Sequence, residues 1–163
     1  MNFDPAWETK IADLWKAFDT QQPEIFRANL ELLLAELPDG IAVAHFERAG
    51  LEDSTGNPEL AVPLYEAALK RGLIGLRRRR AVIQMASSIR NLGNAQRSFE
   101  LLSAELGAAT DELDGAVRAF LALALTDLGR EREAVSISLE ALAQYLPRYN
   151  RSLAAYARNL NNK

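Results

Sequence analysis

Residues 49–69 read AGLEDSTGNPELAVPLYEAAL, and the same pattern returns as ASSIRNLGNAQRSFELLSAEL (86–106) and ALALTDLGREREAVSISLEAL (122–142). Each segment starts with a small residue, reaches a glycine seven residues later, and continues through a polar turn into a second apolar stretch. The three glycines are 37 and 36 residues apart. Self-similarity at a period of 20–50 residues predicts a stacked repeat, here with two helices in each unit.

The second apolar stretches of the three units share one template. A small residue stands five positions after each glycine, and three further positions follow at steps of four, three and one. These steps place all four side chains on one helical face, where small residues let two helix backbones approach closely. The template positions are Ala61, Tyr65, Ala68 and Leu69; Ser98, Leu102, Glu105 and Leu106; and Ala134, Ser138, Ala141 and Leu142.

The first helices of the second and third units also carry an apolar face, at i, i+3, i+4 and i+7. One member of this set, Arg118, is polar. The positions are Val82, Met85, Ala86 and Ile89, followed by Arg118, Leu121, Ala122 and Leu125.

The three units resemble the tetratricopeptide repeat, whose pattern is a small residue early in helix A, a glycine-like turn, and a small–aromatic–alanine series in helix B. The resemblance covers roughly residues 41–146 and extends to a bacterial subgroup of the family with no assigned chemistry. It implies an all-α, right-handed α-solenoid of about nine helices. Two positions depart from the pattern: Ser138 replaces a large residue, and Glu105 stands where alanine is usual.

The two ends of the chain differ from the repeats. Residues 5–18 and 23–38 predict a leading helix pair, whose second member has an apolar face. At the other end, Tyr149, Leu153, Tyr156 and Leu160 follow i, i+4, i+7 and i+11. Because the terminal helices of a repeat array need one polar, solvent-exposed face, we interpret this last helix as a cap. The alternative is a helix that forms a dimer contact.

Composition narrows the function classes. The chain has 163 residues, a net charge of −3 and no cysteine, so disulfides and thiolate chemistry are excluded and a general polyanion binder is disfavoured. We expect no cofactor, no metal, no nucleic-acid partner and no membrane partner. The N-terminus lacks an apolar signal core and no stretch approaches a membrane span, so a cytoplasmic protein is expected.

Four consecutive arginines, residues 77–80, open the first helix of the second unit. Successive helical residues turn by about 100°, so the four side chains cannot form one patch. We expect Arg78 and Arg79 at the edge of the stack, with packed stems and guanidinium groups that reach water. Arg80 shares a face with Ile83 and Ser87.

In the resembled family that face lines a concave groove where peptides bind. The groove positions carried over are Val43, Phe46, Gly50 and Asp53; Arg80, Ile83, Ser87, Arg90 and Asn91; and Ala116, Ala119, Leu123, Thr126 and Asp127. The arginines could receive an acidic segment or a C-terminal carboxylate through paired hydrogen bonds. Alternatively, they pair with neighbouring acids and solubilise the helix ends.

Catalysis has little support in the sequence. The single histidine, His45, falls near the start of a predicted first helix, and we interpret it as a half-buried structural residue rather than a catalytic one. The acidic cluster of Asp111, Glu112 and Asp114 lies at a helix start, where the macrodipole favours negative charge, and lacks the spacing of a calcium loop. We predict no catalytic site.

The sequence therefore predicts a single repeat domain: a leading pair (1–40), three tetratricopeptide-like repeats (41–73, 74–110 and 111–146) and a capping helix (147–163). The predicted function is non-catalytic binding of a protein or peptide in the groove. Two alternatives stay open: a self-assembling module, possible as a homodimer, that acts through its end helices, and a small-molecule or peptide sensor.

Overall fold

A computed structural model describes residues 4–108 and 110–162. Within them the protein contains nine α-helices, two short 3-10 helices and no strand, so the all-α prediction is confirmed. The chain forms two compact units, residues 1–73 and 74–163. The single-domain organisation stays a prediction.

The first unit has four α-helices and one 3-10 helix, Phe18–Thr20. The α-helices are α1 (Pro5–Lys16), α2 (Pro23–Leu34), α3 (Ala42–Ser54) and α4 (Pro58–Lys70).

The leading pair, α1 and α2, forms as the sequence predicts. Asp4 caps α1 by accepting a hydrogen bond from the Ala6 amide at 2.9 Å, and Pro5 occupies the first helical position. The Trp7 indole donates to the Leu33 carbonyl at 2.9 Å and joins the two helices. The apolar face of α2 is inside, with Phe26 fully buried.

The second unit has five α-helices and ends in a 3-10 helix, Leu160–Asn162. The α-helices are α5 (Gly75–Asn91), α6 (Ala95–Ala108), α7 (Asp114–Asp127), α8 (Glu131–Ala143) and α9 (Asn150–Asn159).

The repeated glycine ends the first helix of each pair in a left-handed conformation, with φ of +80° at Gly56, +86° at Gly93 and +71° at Gly129. Residues with a side chain rarely adopt this conformation, which explains why glycine returns at this position. The glycine amide and the next amide then bond to carbonyls three and five residues back, so each helix end is satisfied in the same way.

Most template positions are buried, as packing between paired helices requires, but Ser138 and Leu142 of α8 are exposed, contrary to the shared template. The small residues Ala61, Ser98 and Ala134 are all buried. In the second unit Ala134 belongs to a core that also contains Leu102 of α6 and Val117 and other apolar residues of α7. Close approach at small side chains thus places α7 against α6, and the first helices of two repeats lie side by side.

The last helix, α9, packs on α8, but through a different set of residues than the sequence suggested. The Ser136 hydroxyl of α8 donates to the Ala157 carbonyl at 2.8 Å, and Ala157 is fully buried. Leu153 and Leu160 are half-buried, whereas Tyr149 and Tyr156 are exposed. The predicted apolar face is therefore split into a packed leucine side and an outward tyrosine side.

Candidate functional site

The four arginines of α5 have different surroundings, and Arg79 is the buried one, with 2% of its surface exposed. Its Nη2 donates to Asp114 Oδ1 at 2.7 Å, and its Nη1 donates to Asp111 Oδ1. Its Nε lies 3.5 Å from Glu105 Oε1. One guanidinium therefore joins α5 to α6, to the α6–α7 connection and to α7.

The expectation that Arg79 reaches water is wrong. A buried guanidinium needs several acceptors, and the three surrounding carboxylates supply them. Arg78 fits the expectation better, because it is half-buried while its Nη1 donates to both oxygens of Glu105.

The contacts of Arg78 and Arg79 with Glu105, Asp111 and Asp114, which we call the arginine network, explain why Glu105 departs from the family pattern. Its side chain is 2% exposed and accepts from Arg78, with Arg79 close by. An alanine in this place would leave both guanidinium groups short of an acceptor. The departure at Glu105 and the arginine run are therefore one structural feature.

The acidic residues that follow α6 belong to the same network. The Arg79 hydrogen bond holds the pKa of the Asp114 carboxyl below its ordinary value, with smaller contributions from the Asp111 amide and from Arg118. Arg78 and Arg79 thus pair with neighbouring acidic residues, which is one of the two interpretations of the four arginines.

The groove positions of the second unit lie on adjacent faces of α5 and α7. Arg90 bridges them: its Nη2 donates to Asp127 Oδ1 at 3.0 Å, and its Nε lies 2.6 Å from Asp127 Oδ2. Ser87 is half-buried and Ile83 is 4% exposed. The remaining positions are exposed: Arg80, Asn91, Ala119, Leu123, Thr126 and Asp127, with Ala116 half-buried. We call this surface the α5–α7 face.

The groove positions of the first unit are less accessible. Val43 and Phe46 are 5% and 2% exposed, and Asp53 lies 3.5 Å from the Tyr65 hydroxyl, which donates to it. Trp15 of α1 lies against Gly50, since a Cβ there would stand 3.2 Å from the indole Cζ2. The leading helix therefore covers part of this face of α3.

His45 is half-buried, and burial lowers the pKa of its imidazole, helped by the positive charges of Arg71 and Arg48. Its Nδ1 is buried and has no hydrogen-bond partner in the part of the chain that the structure describes. No group of side chains in the described residues has the composition of a metal site. Among the described helices, none is both long and apolar enough to cross a membrane.

A comparison with protein families matches residues 42–160 to the tetratricopeptide repeat. The chain belongs to this family, and the resemblance seen in its glycines and small residues is confirmed. Tetratricopeptide repeats generally mediate protein–protein interactions and are typically non-catalytic. No curated protein and no solved structure matches the chain.

Proposed function

We propose that the protein is a non-catalytic scaffold that binds a protein or peptide on the α5–α7 face. The observation that carries the proposal is Leu123 of α7, an apolar side chain 45% exposed on the α5–α7 face, in a family that binds proteins. Exposed Arg80, Asn91 and Thr126 add hydrogen-bonding groups to the same face. An apolar contact with a polar rim is the usual composition of a protein interface.

The charge on this face favours a partner with a carboxylate. Arg80 is exposed, and Arg90 is half-buried and ion-paired with both oxygens of Asp127. An acidic segment or a C-terminal carboxylate would contact the accessible Arg80, and would reach Arg90 only by displacing Asp127. In this proposal the buried Val43 and Phe46 support the first unit, and Asp53 is at most a rim contact.

The test compares two double variants as baits for proteins from the native cell lysate. Arg80→Glu with Leu123→Glu changes the proposed face, while Arg148→Glu with Leu142→Glu makes the same changes at exposed positions elsewhere. A partner captured by the wild type and the control but lost by the first variant is then purified and titrated against all three proteins. Equal binding by all three would overturn the assignment of the face.

A second candidate function, self-association, rests on α9. Tyr149 and Tyr156 are 77% and 70% exposed, and Tyr is enriched in protein interfaces. Sedimentation equilibrium of the wild type beside Tyr149→Ser with Tyr156→Ser tests it. A dimer that the substitutions dissociate supports this function, and a monomeric wild type excludes it. A cytoplasmic location completes the proposal and is tested by fractionation of the native cells.

A further inference from the structure

A cleft separates α6 from α8 on the side of α7 that faces away from the α5–α7 face. Its volume is about 320 Å³. The floor is formed by Leu121 and Leu125 of α7, and the walls by Phe99 of α6 and Ile137 of α8. Charged and polar side chains form the rest of the lining, among them Arg118, Arg130 and Glu140, and a cleft of this volume can hold a small molecule.

Most polar groups around the cleft already have partners. Arg130 lies over the Phe99 ring, 4.5 Å from its centroid, and binds Glu133 through two hydrogen bonds of 2.7 Å. Ser136 donates to a carbonyl of α9 and accepts from the Asn161 amide at 3.2 Å. These groups fix the shape of the cleft and need no ligand.

Arg118 is the exception on the floor of the cleft. Its side chain is 22% exposed, and its buried Nη1 has no hydrogen-bond partner among the described residues. The nearest carboxylate oxygen is Asp114 Oδ2, 3.9 Å away, and the other oxygen of Asp114 accepts from Arg79. The exposed part of the Arg118 side chain lines the cleft, and its long ion pair leaves the guanidinium able to receive a ligand carboxylate there.

Glu140 is the exception on the wall. It is half-buried and lines the same cleft, yet it has no hydrogen bond or ion pair with any described residue. Because α7 and α8 are an antiparallel pair joined at Gly129, Glu140 and Arg118 lie at the same end of the pair, each eleven residues from that glycine. One cleft therefore carries a guanidinium group whose ion pair with Asp114 is long, at 3.9 Å, and a half-buried carboxylate without a partner among the described residues, beside apolar walls.

We propose that this cleft binds a small apolar α-amino acid. Arg118 would receive the ligand carboxylate, Glu140 its ammonium group, and Phe99, Leu121 and Ile137 its side chain. A zwitterion is the ligand class that satisfies both charges at once. A simple carboxylic acid would leave Glu140 unsatisfied and close to a like charge, and a peptide residue carries at most one of the two terminal charges.

The first test uses three ligands with one carbon skeleton: L-leucine, 4-methylpentanoate and 3-methylbutylamine. Binding to the full chain is measured by calorimetry and by NMR chemical shifts. We expect leucine to bind at least tenfold more tightly than either singly charged compound, with shifts at Leu121 and Ile137. Equal binding of the acid, or no binding of leucine, would overturn the proposal.

The second test uses Glu140→Gln and Arg118→Gln, with Glu131→Gln as a control at an exposed position of α8. Each cleft variant should weaken leucine binding at least tenfold, while the control binds as the wild type does. Glu140→Gln preserves the size of the side chain and breaks no contact in the described residues. It therefore tests leucine binding even if Arg118→Gln fails to fold. Unchanged leucine binding in Glu140→Gln would overturn the proposal.

Discussion

Arg79 of α5 donates a 2.7 Å hydrogen bond to Asp114 of α7 and so links the first helices of two successive repeats. The guanidinium is almost completely buried, and two further carboxylates, those of Asp111 and Glu105, surround it. Burying a charge is costly unless it is paired and hydrogen-bonded, and this pairing depends on three different segments of the chain. The junction of the second and third repeats is therefore sensitive to each member of the network.

Replacement of Arg79 should destabilise the protein strongly. Arg79→Met removes the buried cation from which Asp111 and Asp114 accept hydrogen bonds, and we expect a loss of about 3–5 kcal/mol in the free energy of unfolding. Urea unfolding followed by circular dichroism measures it. Arg80→Met, an exposed position one residue away, should change stability by no more than about 0.5 kcal/mol. Similar losses in both variants would contradict the structural role of Arg79.

Restoring the residue usual in the family should also be harmful here. Glu105→Ala removes the carboxylate that Arg78 binds and that Arg79 approaches, so we expect a loss of about 1–3 kcal/mol. In the double variant Arg79→Met with Glu105→Ala the loss should be smaller than the sum, with a coupling of about 0.5–3 kcal/mol. Additive losses in the unfolding experiment would show that the two residues act independently.

His45 should make stability depend on pH. Its folded pKa is lowered from the ordinary value of 6.5 by burial and by neighbouring arginines. The unfolded state therefore binds more protons below about pH 6.5, and stability should fall as the pH drops from 7 through the unfolded pKa toward the folded one. His45→Gln should flatten the unfolding free energy in this range. A slope that persists in the variant would assign the effect to another group.

The carboxylates bound by arginine should not contribute to the pH dependence of the unfolding free energy in the range where His45 titrates. Their pKa values are held below the ordinary range, as at Glu31 beside Arg48, so their contribution is complete above about pH 4.5 and is lost only at lower pH.

A side chain at Gly50 should conflict with Trp15. The indole is held by a 2.7 Å hydrogen bond from its Nε1 to Glu47 Oε2, so the ring cannot move away freely. A Cβ at Gly50 would lie 3.2 Å from it, and we expect Gly50→Val to cost about 1–3 kcal/mol, as overpacking does. In a Trp15→Ala background the same substitution should cost less, as thermal unfolding would show. An equal cost in both backgrounds would contradict the packing.

The helices were predictable because local signals define them. The apolar period, the proline at the start of α4 and the glycine after α3, α5 and α7 each act within a few residues. The apolar face of α9 was predicted less well. Its four residues fit one helical period. However, the Ser136 hydroxyl of α8 donates to the Ala157 carbonyl, so the small Ala157 is packed against α8 and the two tyrosines are exposed.

The site was harder to predict, because its contacts join residues that are far apart in sequence. Arg79 and Asp114 are 35 residues apart, and nothing local distinguishes Arg79 from the arginines beside it. Two features of the sequence indicated the buried charges. Glu105 occupies a position where the family usually has alanine, and Arg118 is a charged residue in an otherwise apolar series. Both residues prove to face the interior, where a charged side chain must find a partner or a ligand.

The sequence by itself determined the helical repeat, its period and its membership of the tetratricopeptide family, because these depend on backbone conformation and on spacing within one or two turns. Only the tertiary structure decided which charges are inside, which are paired across helices and which, like Arg118 and Glu140, line a cleft. Electrostatic energy depends on distance and solvent exposure, and both are set by how the helices pack.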